Sequence, residues 1–198
     1  MAQHALLVMD VQRVVVDRYP APGYLPRLRE AVDAARAGGV PVIYAVVGFR
    51  PGYPEISARN KMFGGLLRAG APAGADADAA ATAAARAAAE RATEIHPDVA
   101  PEPGETVVTK RRVSAFAGSD LDVVLRAGGI DHLVLTGIAT SGVVLSTLRQ
   151  AADLDFGLTV LSDGCHDADP EVHRVLTEKV FPQQAEVTTV ADWAAKVR

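Results

Sequence analysis

The sequence predicts an α/β fold: a three-layer, Rossmann-like sandwich in which helices cover both faces of a six-stranded, mostly parallel sheet. Short apolar runs alternate with segments of helical spacing along the chain, as parallel strands joined by crossover helices do. The runs are apolar at nearly every position, which is typical of strands buried on both faces. With 198 residues, we expect one domain, 1–198, with a sizeable core.

Charge and composition restrict the class of partner. Hydrophobic residues make up 49% of the chain and charged residues 22%, as in ordinary globular proteins. The net charge of −4 argues against nucleic acid or an anionic membrane as the main partner. No apolar run reaches the roughly 18 residues that a membrane helix requires. The one cysteine, Cys165, excludes an internal disulfide and favours a cytoplasmic location.

The first strand is predicted at residues 5–9 and leads directly to Asp10 and Gln12. In an open α/β sheet the carboxyl ends of the strands face the ligand crevice, so Asp10 is expected at its mouth. The position of Asp10 in the sequence fits equally well a residue that only caps a turn. Apolar residues at helical spacing then predict a helix over 25–37, which a pair of glycines ends.

The second strand is predicted at residues 40–47 and is followed by an irregular loop, 48–54, rich in glycine and proline. The loop leaves the sheet at the same edge as Asp10. Phe49, Arg50 and Tyr53 are therefore candidate pocket residues, with Arg50 offering a guanidinium fork to a carboxylate. The alternative is a solvated arginine above packed aromatic rings.

The alanine-rich segment 75–93 has high helix propensity, and its small side chains allow close packing at a subunit contact. The third strand, 106–109, delivers Lys110 at its carboxyl end. A lysine at this position is expected to face Asp10 from the first strand. Taken alone, Lys110 also fits a solvated residue at the end of a strand.

A helix is predicted at 120–127, followed by a fourth strand at 133–135, where Thr136 and Gly137 break the apolar run. Helical spacing resumes afterwards. A strand that turns sharply into a helix leaves backbone N–H groups unpaired at the helix start. Such an elbow can hold a nucleophile beside an oxyanion site.

The remaining elements complete the alternation of strands and helices. A fifth strand is predicted at 158–161, and a helix over 170–180 begins with Asp169 as its N-cap. A short sixth strand at 185–188 and a helix from Val190 follow.

Three segments in order, LLVMDVQ ending at Gln12, VVTKRRVSAF around Lys110 and LTGIATSGVVLSTLRQAA beginning at Leu135, resemble the isochorismatase-like cysteine hydrolase superfamily. This superfamily includes nicotinamidases, carbamoylsarcosine amidases and isochorismatases, and the resemblance covers almost the whole chain. It implies the strand order 3-2-1-4-5-6 and a homodimer or a larger homo-oligomer.

The resemblance also implies an Asp-Lys-Cys triad, of which Asp10 and Lys110 match the first two members. In the amidase pattern G-x-x-T-x-x-C, counted from Gly137, the threonine falls on Thr140 and the cysteine on Val143. The chain therefore departs from the family at its nucleophile, and a covalent acyl-enzyme at this position is excluded because valine has no ionisable group.

The family elbow further implies a cis peptide bond at Ile138–Ala139 and an oxyanion hole made by the amides of Ala139 and Val143. Its metal-binding members require an aspartate and histidines after the second strand. The loop GFRPGYPEI has no such residues, so we expect no catalytic metal and no cofactor. The expected substrate pocket is Gln12, Phe49, Arg50, Tyr53, Phe116, Ile138 and Thr140.

Three functions fit these residues. The favoured one is a hydrolase of a small carbonyl-bearing or anionic molecule, in which Asp10 either activates water against an amide or acts as a general acid on a vinyl ether, as the resemblance to isochorismatases implies. The second is a catalytically silent binding or structural protein that retains the Asp10–Lys110 pair. In the third, Cys165, which has Asp163 and His166 nearby in the sequence, is a relocated nucleophile.

Overall fold

The computed structural model describes residues 3–69 and 90–197 of the chain. Its sheet contains six strands that pair in parallel throughout, in the order β3-β2-β1-β4-β5-β6. The predicted fold class and strand order are confirmed. The strands are β1 (His4–Met9), β2 (Val42–Val47), β3 (Thr106–Lys110), β4 (His132–Ile138), β5 (Gly157–His166) and β6 (Glu186–Thr188).

Helices connect the strands and cover both faces of the sheet. Those of the described residues are α1 (Arg13–Arg18), α2 (Tyr24–Ala37), α3 (Gly64–Ala69), α4 (Leu121–Ala127), α5 (Leu145–Asp153), α6 (Pro170–Val175) and α7 (Val190–Val197). Two π-helical turns, Thr140–Val144 and Leu176–Val180, precede α5 and follow α6. Of the alanine-rich helix predicted at 75–93, residues 75–89 and any subunit contact there lie outside the described residues.

Two apolar cores, one on each face of the sheet, explain why the strands are apolar at successive positions. Along β1, Leu7 and Met9 belong to one core, while Leu6 and Val8 belong to the other, and all four are almost completely buried. This division follows from the alternation of side chains along a strand. The sheet is therefore the middle layer, as predicted.

Two strands extend further than the sequence predicts. β4 continues through Thr136 and Gly137, where the prediction ended it, and β5 continues from Leu161 to His166. The two extensions pair with each other after an irregularity in the register, which aligns Gly137 with Cys165. The buried Thr136 hydroxyl donates to the Leu7 carbonyl at 2.7 Å, so this threonine supports the strand instead of ending it.

Candidate active site

A cavity of about 500 Å³ opens at the carboxyl edge of β1, β2, β3 and β4. Its wall is largely apolar and contains a few buried polar groups, which is the usual character of a small-molecule site. Its lining residues include Asp10, Gln12, Arg18, Phe49, Tyr53, Phe63, Lys110, Ile138, Ala139 and Val143.

Asp10 and Lys110 meet in this cavity as a buried ion pair. Lys110 Nζ lies 2.9 Å from Asp10 Oδ2 and also donates to the Arg112 carbonyl at 2.9 Å. Lys110 is only 1% exposed and Asp10 only 9%. Because parallel strands end at the same edge of a sheet, β1 and β3 bring together two residues that are far apart in the sequence.

The second oxygen of the Asp10 carboxyl group, Oδ1, has no hydrogen-bond partner among the described residues. Burial raises the pKa of Asp10 to about 6, and this effect outweighs the opposing influence of the Lys110 charge. The carboxyl group therefore changes its protonation state close to neutrality. A group with this pKa can take up or release a proton at physiological pH.

Gln12 lies in the cavity wall, but its amide group is engaged by the backbone. Its Nε2 donates to the carbonyls of Val47 and Thr93 at 3.1 and 2.7 Å, and its Oε1 accepts from the Val47 N–H at 2.9 Å. The side chain is 1% exposed. Gln12 thus joins the ends of β1 and β2 to the segment that precedes β3, a role that the sequence analysis did not identify.

The elbow after β4 forms the cavity wall opposite β3. The peptide bond between Ile138 and Ala139 is cis, and Ala139 leads into the π-helical turn Thr140–Val144. Ile138, Ala139 and Val143 all line the cavity. Val143 is 2% exposed and belongs to an apolar core, so the position of the family cysteine presents an apolar surface beside the Asp10–Lys110 pair.

Gly137 allows the elbow to approach β1 closely, and we expect Gly137→Ala to destabilise the fold by about 3 kcal/mol or more. Its φ angle is +140°, and a Cβ atom there would lie 2.2 Å from the Met9 carbonyl oxygen. Urea unfolding measures the effect. The matched control is Gly142→Ala, whose Cβ would meet only Ala139 Cβ at 3.8 Å. Equal stability of the two variants would contradict this packing argument.

Arg50 does not line the cavity, although it was predicted there from the sequence. Its side chain is 71% exposed and its Nε lies 2.5 Å from Glu55 Oε1. The prediction missed this partner, which lies five residues further along the same loop. The neighbouring aromatic residues do line the cavity: Phe49 contacts Tyr53 and Phe63 edge-on, with ring centroids 6.3 and 5.2 Å apart.

Two other expected pocket residues also lie elsewhere. Phe116 is 8% exposed in an apolar core, where its ring lies 5.9 Å from that of Phe156. Thr140 is fully buried, and its hydroxyl forms a hydrogen bond of 2.8 Å with His173 Nδ1. Phe116 thus supports the core, and Thr140 joins the elbow to α6.

Helix α1 and Tyr19, the residue that follows it, contribute cavity residues that were not predicted from the sequence. Val14, Val15, Arg18 and Tyr19 all line the cavity. Their spacing places them on one side of a helix, which is the signal that would have revealed them. Arg18 adds a second cationic side chain to the wall, and it is exposed to solvent.

Cys165 is not arranged as an activated nucleophile. It is 4% exposed and its thiol donates to the Leu135 carbonyl at 3.7 Å. Burial raises the pKa of this thiol far above its ordinary value, so the reactive thiolate is scarce near neutrality. The residue lines a different cavity from Asp10.

Within residues 3–69 and 90–197, no group of three or more His, Cys, Asp or Glu side chains is arranged to hold a metal ion. None of the helices in this part of the chain has both the length and the hydrophobicity of a membrane span.

Comparison with known proteins places these features in context. The family model for the Isochorismatase domain matches residues 4–192. The Ureidoacrylate amidohydrolase RutB of Stutzerimonas stutzeri is 33% identical over 213 aligned residues, which cover 99% of this chain and 80% of that protein. The protein of the same name from Azorhizobium caulinodans is 35% identical over 205 residues, covering 96% and 88% of the two chains.

Solved structures give the same result. An isochorismatase family protein from Burkholderia thailandensis superimposes with a TM-score of 0.79 at 28% identity, over 98% of this chain and 95% of that one. One from Desulfovibrio vulgaris reaches 0.78 at 25% identity, over 100% and 99%. The similarity to these proteins therefore extends over nearly the whole chain.

Proposed function

The chain belongs to the isochorismatase family of hydrolases, and we propose that it is an amidohydrolase that uses water, and no cysteine thiol, to cleave a C–N bond. The observation that carries this proposal is the Asp10 carboxyl group. One of its oxygens is held by Lys110, the other has no partner among the described residues, and apolar Val143 stands where the family has its nucleophile.

In the proposed reaction, Asp10 accepts a proton from a water molecule as the water oxygen bonds to the amide carbon. The backbone N–H groups of Ala139 and Val143 hold the carbonyl oxygen as negative charge develops on it. Asp10 then gives the proton to the amide nitrogen, and the C–N bond breaks. Lys110 keeps the carboxylate in place and supports its ionised form, since the Lys110 charge lowers the pKa of Asp10.

The cavity favours a small ureido or amide compound that also carries a carboxylate. The wall is largely apolar, and the cations Arg18 and Lys110 both line it. With Lys110 engaged by Asp10, Arg18 is available to bind an anionic end of the substrate. The relatives are named as amidohydrolases of ureidoacrylate, a molecule with a ureido group and a carboxylate, which agrees with this substrate class.

Vinyl-ether hydrolysis is the second candidate, because a carboxyl group with a pKa of about 6 can also act as a general acid. A panel of ureidoacrylate, N-carbamoyl amino acids, simple amides and isochorismate separates the two reactions by product mass. We expect ureido compounds to be hydrolysed, with no acyl adduct on the intact protein. A stable adduct on Cys165, or turnover of isochorismate alone, would overturn the proposal.

The pH profile gives an independent check. A general base must be ionised, so kcat/KM for a ureido substrate should be constant above the Asp10 pKa of about 6. Below that pH it should fall about tenfold per unit, because the fraction of ionised carboxylate falls by that factor. Vinyl-ether chemistry requires the protonated acid and predicts the opposite slope. A profile that is flat through this range would argue against either role for Asp10.

Restoring the family nucleophile should change the mechanism. We expect Val143→Cys to form an acyl adduct with the substrate and to become sensitive to iodoacetamide, since Asp10 lies in the same cavity and can take the thiol proton. Intact-protein mass spectrometry detects both modifications. Val143→Ala also removes the valine side chain but adds no thiol, so it should show neither the acyl adduct nor the iodoacetamide label. Equal labelling of both variants would indicate that iodoacetamide reacts with Cys165.

The site of action and the assembly state are further parts of the proposal. The single cysteine is a free thiol, which agrees with a protein that functions in the reducing cytoplasm. The family resemblance supports a homodimer or a larger homo-oligomer. Size-exclusion chromatography with light scattering determines the assembly state directly.

A further inference from the structure

A second cavity, of about 470 Å³, lies at the carboxyl end of β5, between the start of α2 and helix α6. It shares no lining residue with the Asp10 cavity. The residues of this cavity that carry hydrogen-bond donors include Tyr24, Arg27, His166 and His173. The proposed hydrolysis uses none of them.

Tyr24 supplies the strongest indication that this cavity binds a ligand. The residue is 6% exposed, and its hydroxyl group has no hydrogen-bond partner among the described residues. Buried tyrosine hydroxyls usually have a partner, because an unpaired one loses its hydration without compensation. Its ring lies 5.9 Å from that of His166, so the two polar groups belong to one wall.

The histidines add two neutral donors. Burial lowers the pKa of both His166 and His173, so each ring is uncharged near neutrality and carries one N–H. His173 Nδ1 is engaged by the Thr140 hydroxyl at 2.8 Å. When that hydroxyl donates the hydrogen bond, the ring proton of His173 is on Nε2.

The balance of charge points to a single carboxylate as the ligand. Arg174 is paired with Glu178 at 2.7 Å, and Asp163 accepts from the Val190 N–H at 2.7 Å, so these groups are already engaged. Arg27 forms no ion pair within the described part of the chain. One guanidinium fork fits one carboxylate, whereas the two acidic residues in the wall disfavour a doubly charged phosphate.

We propose that this second cavity binds a small monocarboxylate through Arg27, Tyr24 and the two histidines, and that the ligand is coupled to the elbow. The coupling follows from two hydrogen bonds. His173 contacts Thr140, and Asp167, next to His166, accepts from the Ser141 N–H at 2.7 Å. Thr140 and Ser141 follow Ala139, which lines the Asp10 cavity.

The test is an NMR titration of the full-length protein with propionate, with propionamide as the uncharged control of the same shape. We expect saturable shifts of the His166 and His173 ring signals and of the Ser141 amide with propionate alone. The signals of His4, His96 and His132, which lie outside this cavity, should stay constant. Shifts that rise without saturation, an unmoved Ser141 amide, or tighter binding of inorganic phosphate would each overturn the proposal.

Two variants distinguish binding from a structural role. Arg27→Gln should weaken propionate roughly tenfold, the loss expected for one charge-assisted hydrogen bond. Arg29→Gln on the same helix should leave affinity unchanged, because Arg29 pairs with Asp33 and does not line the cavity. Tyr24→Phe removes an unpaired buried hydroxyl, so it should preserve or raise stability while weakening propionate. Unchanged affinity in both Arg27→Gln and Tyr24→Phe would disprove the assignment.

Discussion

Asp10→Asn should lower kcat/KM for a ureido substrate by about 10²–10⁴-fold, the usual contribution of a general acid or base. Asparagine has nearly the same shape as aspartate and retains an oxygen for Lys110, but it cannot accept a proton from water. The fold should therefore persist, with a lower stability because the buried Lys110 ammonium loses its counter-charge, while hydrolysis slows by this factor. Steady-state kinetics with product detection by mass spectrometry measures the loss.

The control for this variant is Asp17→Asn, which neutralises an exposed carboxylate of α1 that does not line the cavity. Its kcat/KM should equal that of the unmodified protein. If folded Asp10→Asn retained full activity, Asp10 would not be the proton acceptor, and the proposed mechanism would be wrong.

Lys110→Met should destabilise the fold by about 1.4 kcal/mol at pH 7, and by about the same amount again for each further pH unit, because the buried Asp10 carboxyl group has lost its counter-charge and stays protonated. The effect depends on pH. The Asp10 pKa of about 6 is already above its unfolded value of 3.8, and loss of the Lys110 charge raises it further. The difference in stability between the variant and the unmodified protein should therefore be largest above pH 6. The difference should shrink as the pH falls and Asp10 is protonated in both proteins.

Urea unfolding at several pH values measures this dependence, with Lys179→Met as the control for loss of an exposed lysine. A double variant, Asp10→Asn with Lys110→Met, isolates the pair. It should be more stable than Lys110→Met alone, since no ionised group is then left unpaired. A penalty for Lys110→Met that did not change with pH would mean that lost packing, and not the ion pair, is responsible.

The strand-end residues could be predicted from the sequence because the fold itself brings them together. Apolar runs located the strands, and in a parallel sheet each strand delivers its following residue to the same edge. Asp10 and Lys110 are therefore expected in one site, and in the structure Lys110 Nζ lies 2.9 Å from Asp10 Oδ2. The cis peptide bond at Ile138–Ala139, which the family resemblance implied, is also present.

Side-chain partners could not be predicted in the same way. Arg50 follows a strand as Asp10 does, yet it turns to Glu55, and only three-dimensional geometry decides between a nearby carboxylate and the cavity. Thr140 and Phe116 were assigned by proximity in the sequence, but their side chains point to His173 and Phe156. The length of β4 was underestimated because Gly137 is unfavourable inside strands, whereas here it packs against Met9. The length of β5 was underestimated because its apolar run ends at Leu161 and polar residues follow.

The hydrogen bonds of Gln12 bear on when the active site forms during folding. They join residues that are 35 and 81 positions apart, and the ion pair joins the first strand to the third. Contacts of such long range form late, because the chain must lose loop entropy before they stabilise it. A chain in which β1, β2 and β3 have not yet paired therefore has no catalytic cavity, and recovery of activity after refolding reports that these strands have come together.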